Sequence, residues 1–252
     1  MRRLDECLPF VYGVIIGALV LNLWYLSGLA VEQRVLPKEY SVFLNIIFVL
    51  LGAFLAFAFR RIEISRDAKR KEAAALNRSL VIMYRQRETL QGLIEIFDKT
   101  KNSSQEYRAF NTTAFQLPNY SFISQNFESL DFLIEKGKAN NYLDISISQE
   151  SFEQAISSIE DRSHCLENEI FPILANKKTP GSKAYTYELI EILGSALYTK
   201  TINLTDEMYR VVYKNKEKIE NEIEKLFITA KDLYPKKSFV YPDDKPAPSL
   251  QK

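Results

Sequence analysis

Residues 7–31 read CLPFVYGVIIGALVLNLWYLSGLAV and residues 40–59 read YSVFLNIIFVLLGAFLAFAF, two uncharged apolar runs in a chain of 252 residues. About 20 helical residues cross a hydrocarbon layer of about 30 Å, so each run is long enough to span a bilayer. Twelve Leu, Ile, Val or Phe residues lie between Leu8 and Leu29. At roughly −0.3 to −0.6 kcal/mol each they favour insertion by about −4 to −7 kcal/mol, which outweighs the amide of Asn22. The second run sets thirteen such residues, Val42 to Phe59, against Asn45. A cleaved signal peptide is the competing reading of the first run, because Arg2 and Arg3 precede it and Gly28-Leu29-Ala30 resembles a cleavage site. A signal core is only about 7–15 residues long, and a second run follows closely, so the first is read as a retained helix.

Flanking charge sets the orientation. The connecting segment Glu32 to Glu39 has only Arg34 and Lys38, balanced by two glutamates, and turns at Pro37. Arg60, Arg61, Arg66, Lys69, Arg70, Lys71 and Arg78 crowd the exit of the second run. Both termini are therefore expected in the cytoplasm. Trp24, Tyr25 and Tyr40 then fall at the outer interface and Tyr12 at the inner one. The two cysteines, Cys7 and Cys165, both face a reducing compartment, so no disulfide framework is expected.

Beyond the second run no proline occurs until Pro118, so the helix is expected to run on as a stalk. Leu76, Leu80, Met83, Arg87, Leu90, Ile94 and Phe97 recur at alternating spacings of four and three, the seam of a helix packed on others. Lys101 to Ser121 reads as a loop with a short helical turn around Tyr107 to Phe115. A second helix is predicted over Phe122 to Lys138, with Phe122, Phe127, Leu130, Leu133 and Ile134 on one side and Gly137 near its end. A third starts near Ser151 in a capping-box pattern, carries Phe152, Ile156, Ile159, Ser163, Leu166, Ile170 and Ile173, and is kinked or ended by Pro172. After the Thr179-Pro180-Gly181 turn, helical pattern from Lys183 to about Lys200 points Leu189, Leu193 and Ala196 inward. A last helix, Thr205 to Leu233, repeats Val212, Ile219, Ile223, Leu226, Ala230 and Leu233, with Asn203 as a candidate break before it. The expected organisation is all-α: a transmembrane hairpin over 1–59 with spans 9–31 and 41–59, a cytosolic helical bundle over 60–234 with its stalk in 60–100, and a disordered, proline-rich tail over 235–252.

Candidate chemistry is sparse. The single histidine, His164, precedes Cys165, but adjacent helical positions diverge by about 100° and do not form a metal site without further ligands. The eight glycines build no phosphate loop. No catalytic residue, cofactor or metal is expected, and an enzyme using Cys165 and His164 is the least favoured reading. Within the runs, Gly13-x-x-x-Gly17 and Gly52-x-x-x-Ala56 permit close helix approach, and Asn22 and Asn45 call for hydrogen-bonding partners in a neighbouring helix, which favours a homo-oligomer. Two helices enclose no water path, so any pore requires that oligomer.

The formal net charge of +1 hides a split. Residues 60–78 hold seven basic and three acidic side chains, while residues 120–175 hold three basic and ten acidic ones. The basic group Arg60, Arg61, Arg66, Lys69, Arg70 and Lys71 suits anionic lipid headgroups, at about 1 kcal/mol per residue near the surface. Direct nucleic-acid binding is not expected, because aromatic residues are not interleaved with the basic ones.

The order of two spans, Arg60-Arg61 at their exit, a Leu76 to Phe97 stalk and a helical cytosolic domain resembles small bacterial two-transmembrane effectors of anti-phage defence, of the retron-associated and abortive-infection types. The resemblance implies a toxin held quiet by a partner, such as a reverse transcriptase with its DNA product, and released on infection to damage the inner membrane. No motif aligns, so it assigns no functional residue. The partners expected are the lipid bilayer, further copies of the chain, and a protein or ribonucleoprotein. A membrane-tethered scaffold that localises cytosolic partners is the rival expectation.

Overall fold

The structure is a computed structural model that describes residues 2–33, 39–177 and 186–241, with side chains from Gly13 onward except at 31, 39–42, 44, 45, 177 and 186. Its described elements are helical, and no strand occurs among the described residues. The chain divides into two compact units, Met1–Arg70 and Lys71–Lys252.

The first unit contains helix α1 (Arg2–Glu32) and the beginning of helix α2 (Glu39–Phe97). Val14, Leu19, Leu23, Trp24, Tyr25 and Leu26 point to all sides of α1 and are all exposed. A helix that is apolar all round is at home only in a core or in lipid. From Gly13 to Ala30, 18 residues, no residue is buried, and this helix is long and apolar enough to cross a membrane by length and composition. The second apolar run is helical within α2, and Phe43, Ile46, Val49, Leu50, Phe54 and Phe57 are exposed. Part of the expected span, like the turn at Pro37, lies outside the residues described at side-chain level.

In the second unit the rest of α2 joins helices α5 (Ala139–Cys165) and α8 (Ser195–Leu233) around one core. Leu76, Leu80, Met83, Leu90, Ile94 and Phe97 of α2 are buried there with Phe152 and Ile159 of α5 and Met208, Val212, Ile219 and Leu226 of α8. Each such side chain withdraws apolar area from water at about 1.5–3 kcal/mol. Between α2 and α5, Ser104 caps the short helix α3 (Gln105–Asn111), its hydroxyl accepting from the Tyr107 N–H at 3.2 Å. The helical turn thus sits earlier than the Tyr107–Phe115 expected.

Three other boundaries depart from the sequence reading. Phe122 to Lys138 is not one helix. It forms 3-10 turns at Ser121–Ile123 and Phe127–Leu130 and a single α-turn, α4 (Phe132–Glu135). Asn119 and Asn126 accept from the backbone N–H groups of Ser121 and Ser129, offering the chain local bonds in place of a continuous helix. Ile123, Leu130, Phe132 and Leu133 are buried, while Phe122 and Ile134 are exposed. Gly137, at φ +71°, then closes the turn: Lys138 N–H reaches Leu133 O at 2.7 Å and Gly137 N–H reaches Ile134 O at 3.1 Å.

Helix α5 begins at Ala139, twelve residues before the capping-box serine; the Ser151 hydroxyl donates within the helix to Ile147 O at 2.6 Å instead of capping it. Past Cys165 the helix widens into a π turn, Leu166–Ile170, before α6 (Phe171–Lys177). Pro172 has no N–H to give and its ring would strike the carbonyl four residues back, so the wider turn relieves both constraints. The break expected at Asn203 falls at Gly194, whose φ of +79° ends α7 (Thr186–Leu193), and α8 runs through Asn203 without interruption. Ala196 is consequently exposed, not inward; Leu193 is buried and Leu189 half-buried. The Thr179-Pro180-Gly181 turn lies outside the described residues, as do residues 242–252. Within the stretch expected to be disordered, Phe239 and Tyr241 pack against the core.

Candidate functional site

On α1 and the first part of α2, Gly17, Asn22, Gly52 and Ala56 are exposed and Gly13 is half-exposed. A Cβ built on Gly13, Gly17 or Gly52 would meet nothing within 4 Å. These positions are therefore not brought together among the described residues, and the Asn45 side chain lies outside them. Ser27 donates its hydroxyl to Trp24 O at 2.7 Å, satisfying inside its own helix a polar group that would otherwise be costly in lipid.

Arg60, Arg61, Arg66, Lys69, Arg70 and Lys71 are all exposed. At about 100° per residue they spread around α2 instead of sharing one face, and Ile62 and Ile64 are exposed among them. An in-plane surface helix would segregate its apolar and basic sides. Arg87, the polar member of the seam, lies at its edge, half-buried: Nε donates to Glu88 Oε1 at 3.0 Å and the guanidinium sits 5.7 Å from the Tyr84 ring centre.

The interior holds a polar centre that sequence reasoning missed. Arg162, on α5, is 0% exposed. Its Nε donates to Thr205 Oγ1 at 2.9 Å, Nη1 to Thr113 O at 3.0 Å, and Nη2 to Ala109 O at 3.1 Å and Thr112 O at 2.6 Å. The guanidinium thus gathers the carbonyls at the end of α3 that the helix itself leaves unpaired. Burial pushes Arg162 down to about 10, still protonated at neutral pH. Beside it the Tyr209 hydroxyl meets Thr100 Oγ1 at 2.6 Å and Thr112 Oγ1 at 3.1 Å, and the Phe115 N–H donates to Ser163 Oγ at 2.9 Å. The available signal was position: Arg162 follows Ile159 by three residues and precedes Leu166 by four, placing it beside the buried stripe.

A second polar cluster joins α2 to α5. Gln86, also 0% exposed, donates Nε2 to Gln149 Oε1 at 2.7 Å and to Ile123 O at 2.9 Å. Gln149 in turn donates to Glu153 Oε1 at 2.7 Å, at the edge of an open groove of about 580 Å³ between α5 and residues 117–124. Leu117, Tyr120, Phe152 and Ile156 line it beside Glu153 and Glu160. It can hold an apolar or cationic group.

His164 is exposed whereas Cys165 is 2% exposed, and burial pushes its thiol up, away from the reactive thiolate. Among the described residues no three His, Cys, Asp or Glu side chains gather to hold a metal. At the start of the second unit, Glu72 of α2 is bonded to both Lys136 and the Tyr234 hydroxyl. Burial alone would lower the Lys136 ammonium; its bonds to Glu72 and Tyr234 outweigh that and raise it.

Compared with protein-family models, curated proteins and solved structures, the chain matches none.

Proposed function

We propose that this chain is a non-enzymatic effector of the bacterial inner membrane, of the anti-phage defence type. In this reading α1 and the apolar run 41–59 form two spans with both termini in the cytoplasm, copies associate through the Gly13, Gly17, Gly52 and Ala56 faces, and the helical unit answers to a protein or ribonucleoprotein partner. The observation that carries the reading is the uncovered apolar surface of α1 from Gly13 to Ala30. The encircling charges of Arg60 to Lys71 support it, since a helix leaving a membrane meets headgroups on every side. So do the vacant glycine faces, which leave room for another helix.

A membrane-tethered scaffold is the second reading. It is favoured by the outer side of α5, where Glu150, Glu153, Glu160 and Asp161 are exposed and none is within ion-pair distance of a described cation.

Inducible expression in bacteria with a voltage-sensitive dye separates the two. Depolarisation after induction that is lost when the apolar runs are exchanged for unrelated spans supports the effector. Unchanged potential at verified membrane expression, with and without the exchange, favours the scaffold.

A further inference from the structure

The end of α8 is followed by a short segment, YPKKSFVY, that does not leave the fold. Pro235 drives Tyr234 out of the helical region, to φ −136° and ψ 67°, and the helix stops there. From that point the chain is fastened to α2 at two places. The Tyr234 hydroxyl bonds Glu72, which Lys136 also holds, and the Val240 N–H donates to Asn77 Oδ1 at 2.8 Å. Glu72 and Asn77 are five residues apart, about 7.5 Å along the helix. The segment therefore tracks α2 over more than one turn as it runs from Tyr234 to Val240.

On its other side it is held to α8. The Tyr241 ring lies 4.6 Å from the Phe227 ring centre, and Lys231 donates to Lys237 O at 3.0 Å with its ammonium 5.9 Å from the centres of both Phe227 and Phe239. The same eight residues thus touch the first turns of α2 in this unit and the last turns of α8.

The fastening is of a kind that opens locally. Past Tyr234, which is buried, the segment has no helical or sheet ladder, Phe239 and Tyr241 are only half-buried, Val240 is 42% exposed, and one main-chain N–H reaches α2. Segments with few buried contacts open at a fraction of the global unfolding cost. The α2 turns beneath it are otherwise well seated, with Ala73, Ala75, Leu76 and Leu80 buried.

We propose that residues Tyr234–Tyr241 are a releasable clasp that holds the Glu72–Asn77 turn of α2 against the end of α8. Its opening loosens α2 where the helix enters the second unit, while the α5–α8 core stays closed. The clasp belongs to this unit alone and does not depend on the effector reading.

Amide hydrogen exchange on the full chain, in bilayer discs of phosphatidylethanolamine and phosphatidylglycerol, tests it. In a Phe239→Ser, Tyr241→Ser double variant, residues 73–80 exchange about tenfold faster or more while residues 145–159 and 212–223 hold their rates, as expected of a local opening. Asn77→Ala, which removes only the bond to Val240, gives the same pattern at about threefold. Unchanged exchange over 73–80, or equal acceleration in α5 and α8, overturns the clasp. If the double variant loses helical content, Asn77→Ala decides alone.

Discussion

Arg162 concentrates more of the second unit's polar bonding than any other described side chain. It has no carboxylate among its hydrogen-bond partners; its charge is met by three main-chain carbonyls and one threonine hydroxyl. That arrangement makes shape as important as charge, because the planar guanidinium reaches four separate acceptors from three nitrogens, whereas an ammonium has three donors on one atom. Arg162→Leu should leave those acceptors buried and unpaired and destabilise the fold by about 3–5 kcal/mol. Arg162→Lys should recover only part of that loss. Urea unfolding followed by circular dichroism measures both, and a loss below about 1 kcal/mol in the leucine variant would reduce Arg162 to a bystander.

At the scale of the helices, regular spacing was legible and interruptions were not. The Leu76 to Phe97 series and the Val212 to Ala230 series coincide with residues that the structure buries, since both lie in long helices undisturbed by side-chain caps. Phe122 to Lys138 has the same apolar content but breaks into turns, because Asn119 and Asn126 bond the backbone locally. The start of α5 was hidden by Ala139-Asn140-Asn141, weak in apolar pattern, while a plausible cap at Ser151 drew attention downstream. Gly194 and Gly92 show why glycine cannot be read from sequence alone. Gly194 sits at φ +79°, so Gly194→Ala should cost about 1–2 kcal/mol. Gly92 lies inside α2 with nothing within 4 Å of a new Cβ, so Gly92→Ala should stabilise by about 0.5–1 kcal/mol. Thermal melting of the two variants should therefore move in opposite directions.

For the whole molecule, α1's length and composition carried the membrane reading directly, since they need no partner residue to interpret. The internal polar centres were invisible because they join residues far apart in sequence: Arg162 is 53 positions from Ala109 and Gln86 is 63 from Gln149. Four tyrosines tie this interior to pH. Tyr120, Tyr198, Tyr213 and Tyr234 are all held above the usual range, by burial first in each case. The fold keeps their protons after the unfolded chain has released them near pH 10, so their contribution is complete below about pH 10 and fades above it. Arg162, depressed to about 10, works in the opposite sense over the same window. The raised Cys165 thiol and Lys136 ammonium act in the same sense as the tyrosines, so unfolding midpoints in urea should fall between about pH 10 and 11, and Tyr213→Phe should make the fall shallower.

The wiring of α2 also dictates an order of assembly. Its hydroxyl partners arrive late: Tyr209 donates to Phe97 O across 112 positions, and Tyr234 meets Glu72 across 162. At a ribosomal pace of about 5–20 residues per second, the apolar face from Leu76 to Phe97 waits about 6–23 s after its own synthesis before Val212 emerges to cover it. The apolar residues upstream leave the ribosome earlier still. During that interval a nascent chain with an uncovered Leu76–Phe97 face is a substrate for chaperones and proteases. Slower passage between residues 97 and 212 should therefore lower the yield of mature protein without changing the stability of the finished fold.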